Sequence, residues 1–329
     1  MRREASSRSR RWAGQAQNLF GLLVLAGFGY YLWRHRGQFA SLLEVSPQEV
    51  VLLAVLVAAT WLASMAQSYL LYQGSDLKIG FWESIMIGLA AGFGNYLPGR
   101  VGTMVRAHYL KSRYGLRYAR FVSLSGMRTV LMLIATGLSG LVATVAITLG
   151  GGPLSVQLLL LFLTFCVLPL VAWLWNPPAR TDQPGRLRRI LHDFGEGFAK
   201  LREKPSISVG VVLLILTQQA TLAARFYVAE RAMSGDGLVM LSMLMAPLAV
   251  LISFAAVTPG GLGIREALMG YATYATGASF EKGVFVGTVD RAVLLGMVAV
   301  FGGASFVVIW SRVRRTGERP ATAAHDDAA

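Results

Sequence analysis

Long apolar runs broken by short basic segments set the pattern of this chain. Val50 to Leu71, Phe121 to Leu149, Leu154 to Trp175, Ile207 to Val228 and Val284 to Trp310 are each long enough to cross a hydrocarbon core. Such a core is about 30 Å thick, and a helix rising about 1.5 Å per residue needs about 20 residues to span it. Leu19 to Trp33 is shorter, but it closes on Tyr30, Tyr31 and Trp33, the aromatic residues that suit a membrane interface. No strand-like alternation of polar and apolar positions runs through these segments. The pattern therefore predicts transmembrane helices rather than a barrel, because only those two structures satisfy their backbone in lipid.

Two further apolar stretches read differently. Ser84 to Leu97 holds 14 residues, too few to cross comfortably, and Pro98-Gly99 follows it. Arg100, Arg106, Lys111 and Arg113 come next and cannot sit in lipid. This predicts a hairpin that dips in from the cytoplasm and turns at Pro98-Gly99, where Pro ends one helix and Gly permits a tight turn. A second hairpin is expected at Pro259-Gly260-Gly261; its first arm, Leu238 to Val257, is long enough to span, so the arms either cross or re-enter.

The hairpins expose an internal repeat. Pro98-Gly99-Arg100-Val101-Gly102 recurs 161 positions later as Pro259-Gly260-Gly261-Leu262-Gly263. About thirty residues after each, an Arg stands in an apolar helix, Arg128 and Arg291, and before each lies an Asp in a Gly/Ser turn, Asp76 and Asp236. Three features in one order at nearly one offset mark two related halves, about 50–150 and 206–311, joined by a basic loop at 176–205. Counting the crossings makes the second half run in the opposite sense to the first, the inverted-topology repeat of many transporters. The expected fold is an all-α polytopic membrane protein of about six full spans plus two Pro/Gly hairpins. A tail at 1–16 precedes the transmembrane domain at 17–311, and a tail at 312–329 follows it.

Composition supports the membrane reading, and charge orients it. Hydrophobic residues make up 54% of the chain and charged residues 15%, with mean hydropathy +0.53, where a soluble domain carries about a quarter charged residues. The net charge of +14 is not spread as a nucleic-acid footprint would be, and no nucleic-acid partner is expected. The N-terminal tail, Lys78, Arg100 to Arg120, Arg180 to Lys204 and the C-terminal tail together hold 23 of the 31 Lys and Arg. That bias places these segments and both termini in the cytoplasm, with attraction to anionic lipid, and it makes 187–201 a candidate surface helix. Arg34 and Arg36 run against the bias. The N-terminus resembles a secretory signal but has no small-residue cleavage site, so it reads as an uncleaved first span.

Ionisable residues inside apolar helices are the candidates for chemistry, because each is costly in lipid. They are Arg128, Arg225, Arg265, Glu266, Asp290 and Arg291, four cations against two anions. A guanidinium left without a carboxylate grips a phosphate or carboxylate through two parallel bonds. The helices after the hairpin turns also present free N–H groups that suit an anion. The single cysteine, Cys166, rules out a disulfide framework, the four histidines fall in loops or tails, and HExxH, GxSxG and P-loop signatures are absent. No enzyme activity, cofactor or metal is expected.

At these residues the sequence resembles the lysylphosphatidylglycerol synthase transmembrane-region family of flippase-like membrane proteins. The matching stretches are Asn95 to Arg106, Pro259 to Glu266, and Asp290-Arg291, and the likeness covers roughly 17–311. The resemblance implies a helical module that moves lipids or lipid-linked sugars between leaflets, sometimes fused to a synthase. This chain ends 19 residues after Trp310, so no aminoacyl-transfer domain is expected in it. It also departs from the family pattern at Thr103 and Met127, where acids are usual. Both losses favour an anionic headgroup over a cationic one.

The expectation is a lipid flippase or scramblase-like transporter in a bacterial or archaeal cytoplasmic (inner) membrane. Arg106, Arg128, Arg265 and Arg291 would draw an anionic headgroup to a site between the hairpins, whose turns are Pro98, Gly99, Gly102, Pro259, Gly260, Gly261 and Gly263. Glu266 and Asp290 would hold the arginines or take up a coupling proton. The alternatives are a secondary transporter for a small soluble anion and a non-transporting partner of a lipid- or polysaccharide-synthesising enzyme.

Overall fold

A computed structural model describes residues 45–96, 101–152, 155–174, 203–234, 238–255, 263–275 and 277–317. The expected first span, the surface helix near 187–201, the N-terminal tail, the C-terminal tail beyond Gly317, and the turn residues Pro98, Gly99, Pro259, Gly260 and Gly261 lie outside them. The described elements are all helical. They are α1 (Pro47–Gly74), α2 (Phe81–Gly94), α3 (Val101–Tyr114), α4 (Tyr118–Leu149) and α5 (Val156–Leu174). Then come α6 (Pro205–Ser234), α7 (Val239–Ala255), α8 (Ile264–Ala275), α9 (Phe280–Met297), a π-helical turn (Val298–Gly302) and α10 (Gly303–Gly317).

Among the described residues, Pro47–Gly74, Tyr118–Leu149, Pro205–Ala232 and Phe280–Arg312 are long and apolar enough to cross a membrane, and Phe81–Gly94, Val156–Val171 and Val239–Phe254 are shorter apolar helices. The chain is a multi-pass membrane protein. The apolar runs located these helices to within a few residues, and the run from Val284 to Trp310 proves to be interrupted by the π turn. The element order also repeats. A long helix, two short ones and a long one occupy α1 to α4, and the same order returns from α6 to α9 and its continuation.

Contacts gather the chain into two compact units. Of the described residues, one takes those up to Val57 and those within 142–156 and 220–294; the other takes those within 58–141 and 157–219 and those from Leu295. In the second unit, α2 packs on α3, α10 and the π turn. The core there includes Tyr109, Leu110, Met127, Val211, Ile215 and Ile309, each nearly sealed from solvent. In the first unit α7 packs on α8.

The α2–α3 hairpin answers why a basic segment follows an apolar one. On α3 the buried positions are Gly102, Val105, Ala107, Tyr109 and Leu110, while Thr103, Met104, His108, Lys111 and Arg113 are exposed. That is an amphipathic helix, apolar toward α2 and polar away from it. Tyr109 and Tyr114 both donate to the Glu83 carboxylate at the start of α2, which ties the ends of the hairpin together. Burial first, and then that carboxylate, raise the pKa of both phenols.

The crossing of α2 and α3 is set by glycine. A Cβ at Gly102 would lie 1.9 Å from the carbonyl oxygen of Ala91, and one at Gly94 would lie 2.5 Å from the Cα of Gly102. No side chain fits between backbones that close. Gly92, two residues before Gly94 and on the opposite face of α2, has open space where a Cβ would go. Gly102→Ala should therefore lower stability by about 1–3 kcal/mol through overpacking, whereas Gly92→Ala should cost nothing. Thermal unfolding midpoints in detergent read the difference.

Candidate functional site

In the unit built on Ala58–Leu141, the same face of α1 carries Ser64, Gln67, Ser68, Leu71 and Tyr72, at the three- and four-residue spacing of a helical stripe. The facing stripe of α4 carries Phe121, Ser125, Arg128 and Met132. With Asn95 after α2 and Thr103 and Arg106 on α3, residues of these stripes line a cavity of about 220 Å³. Pockets for drug-sized ligands run to about 300–1,000 Å³. This one suits a headgroup or small ion rather than a whole lipid.

Two guanidinium groups face the cavity, and each is held by neutral partners. Arg106 Nε donates to the Tyr72 hydroxyl at 2.7 Å, and its guanidinium lies 5.5 Å from the Tyr72 ring centre and 5.8 Å from that of Phe121. Arg128 donates through Nε to Gln67 Oε1 at 3.1 Å and through Nη2 to Ser64 Oγ at 2.7 Å. Thr103 Oγ1 donates to Asn95 Oδ1 at 3.3 Å. Among the lining residues there is no carboxylate. Met127, where the family resemblance anticipates an acid, is a core side chain only 1% exposed.

The unit built on Ala220–Leu294 treats its arginines differently. Asp290, fully buried, receives Arg225 Nε at 2.7 Å on one oxygen and Arg265 Nη2 at 3.1 Å on the other. Glu266 receives Arg291 Nε at 3.2 Å. Its second oxygen accepts the N–H of Gly263 at 2.7 Å. Gly263 has φ +81°, a left-handed conformation that a side chain would strain. Glu266 thus caps α8 three residues into the helix while pairing with an arginine. Glu230 accepts the Leu238 N–H and pairs with Lys282 at 2.9 Å. Arg265 also stacks over Phe226, 5.5 Å from its ring centre.

The six expected site residues therefore fall into two sets, each within one unit. Arg106 and Arg128 share a cavity, while Arg265, Glu266, Asp290 and Arg291 form an ion-paired cluster that also takes in Arg225. Sequence reasoning missed Gln67, Ser64 and Tyr72, the neutral groups that hold the cavity arginines. The local pattern carries no signal for them, because neutral polar residues are tolerated within apolar helices.

A family model described as the lysylphosphatidylglycerol synthase TM region matches residues 18–302. The chain belongs to that family. The match takes in both the cavity and the ion-paired cluster. No curated protein matches the chain.

The two sets should respond unequally to mutation. Asp290→Asn leaves buried arginines without a counter-charge and should cost roughly 3–5 kcal/mol. Arg128→Gln removes a charge that has only neutral partners and should cost no more than about 1 kcal/mol. Thermal unfolding in detergent without added lipid compares them; equal losses would show that Arg128 serves the fold and not a ligand.

Proposed function

We propose that this protein carries the anionic headgroup of a lipid or lipid-linked sugar between leaflets, as a flippase or scramblase-like transporter. The observation that supports this most is the cavity holding Arg106 and Arg128 without a carboxylate. An uncompensated guanidinium at membrane depth is costly, and a phosphate would relieve that cost through paired, charge-assisted bonds. A cavity of about 220 Å³ admits a phosphate-bearing headgroup while the tails remain in lipid.

The transporter works in a bacterial or archaeal cytoplasmic membrane with both termini inside, as the distribution of basic residues supports. Its two halves form an inverted repeat of about six spans and two hairpins, a reading supported by the recurring long–short–short–long order of helices. Glu266 and Asp290 serve as fixed counter-ions for Arg225, Arg265 and Arg291. The cavity volume also suits a free anion, which leaves a soluble-anion transporter as the second reading.

Reconstitution into liposomes with leaflet-specific labelling tests both readings. Labelled phosphatidylglycerol and phosphatidic acid should exchange between leaflets, and phosphatidylcholine should lag well behind. Arg128→Leu should slow exchange of the anionic lipids by at least about tenfold, the value of one charge-assisted hydrogen bond. Exchange of phosphatidylcholine alone would defeat the proposal, and uptake of free phosphate without lipid exchange would favour the second reading.

A further inference from the structure

Beyond the cavity, in the same unit, a line of polar side chains continues along apolar helices. Gln67, fully buried, links the two regions. Its Oε1 accepts Arg128 in the cavity wall, and its Nε2 donates to Gln218 Oε1 on α6 at 2.7 Å. The next residue, Gln219, donates to Thr136 Oγ1 on α4 at 2.8 Å and accepts from Ser139 Oγ. Thr136 is fully buried and Gln219 is 5% exposed.

On α4 these residues extend the stripe that lines the cavity. Ser125, Arg128, Met132, Thr136 and Ser139 recur at three- and four-residue steps and so share one face. From Ser125 to Ser139 the helix rises about 21 Å, against a hydrocarbon core of about 30 Å. Interhelical hydrogen bonds alone can hold membrane helices together, and a purely adhesive network would be sealed on all sides. This one is not. Gln218 and Ser139 are half-buried, and the apolar neighbours Leu138 and Leu213 are 49% and 58% exposed, as lipid-facing residues are.

We infer that this seam of Gln67, Gln218, Gln219, Thr136 and Ser139 is the path along which the lipid's phosphate crosses the hydrocarbon core, entered from the Arg106–Arg128 cavity. The inference rests on the transport reading above. Hydroxyl and amide N–H groups take over the phosphate oxygens in turn as the headgroup leaves Arg128, so no oxygen enters hydrocarbon without a donor. The open side lets the acyl or prenyl tails follow in the surrounding lipid. Because every station after Arg128 is neutral, none holds the headgroup as tightly as the cavity does, and the phosphate is free to leave at the far end.

Thr136→Val and Gln219→Met test this, because each keeps the side chain's size while removing its polar atoms. Two quantities are measured on the full-length chain. The first is leaflet exchange of labelled phosphatidic acid in liposomes, scaled to folded protein. The second is the rise in thermal unfolding midpoint that short-chain phosphatidic acid produces in detergent. Both variants should exchange about tenfold more slowly, the effect of withholding one hydrogen bond, while the lipid-induced rise stays at its native size. If the native chain exchanges lipid and both variants match it, the seam is adhesive only and the inference is wrong. Loss of the lipid-induced rise in parallel would place these residues in the binding site and also overturn it. A native chain that moves no lipid would instead remove the transport reading and this inference with it.

Discussion

A guanidinium in the middle of a bilayer costs at least about 2.5–3.5 kcal/mol, and more where it cannot reach the interface. This protein places several of them in or beside apolar helices, and their location dictates much of what surrounds them. Around Arg225, Arg265 and Arg291 the answer is internal: Asp290 and Glu266 are buried among them as counter-ions. Around Arg106 and Arg128 the partners are a phenol, an amide and a hydroxyl, which satisfy hydrogen bonds but leave the charge uncancelled. The first arrangement is complete as it stands. The second has an open demand for negative charge, and the cavity beside it is where that charge can enter.

The fold serves this difference. Close backbone contact at Gly94 and Gly102 holds the amphipathic α3 against α2, so that Arg106 reaches Tyr72 and the cavity. The regular stripe on α4 brings Arg128 to the same cavity and continues the polar face beyond it. Replacing the acid expected before Arg128 with Met127, a buried core residue, removes one counter-ion that the chain would otherwise supply itself. A single side chain thus bears on the charge balance beside the cavity.

Much of this was legible in the sequence. Runs of apolar residues located α1, α4, α6 and the α9–α10 stretch because burial in lipid demands continuous hydrophobicity over a fixed length. Arg128, Asp290 and Arg291 were visible for the converse reason, since a charge within such a run is costly and stands out. The partners were harder to see. Gln67, Thr136 and Gln219 are neutral and cost little to include in an apolar helix, so nothing in the local pattern sets them apart from tolerated polar residues. Which carboxylate meets which arginine depends on side-chain direction across three helices, and periodicity does not carry that information. The π turn at Val298–Gly302 leaves no mark on hydropathy either.

The central claim is that the Arg106–Arg128 cavity holds a phosphate because the chain provides no carboxylate of its own there. Phosphorus NMR of short-chain phosphatidic acid titrated with the detergent-solubilised protein measures this directly. The phosphorus resonance should shift and broaden with the native chain and stay unperturbed with Arg128→Gln, and phosphatidylcholine of the same chain length should be unperturbed by either. Equal perturbation by the native chain and by Arg128→Gln, or an equal response from phosphatidylcholine, would contradict the claim.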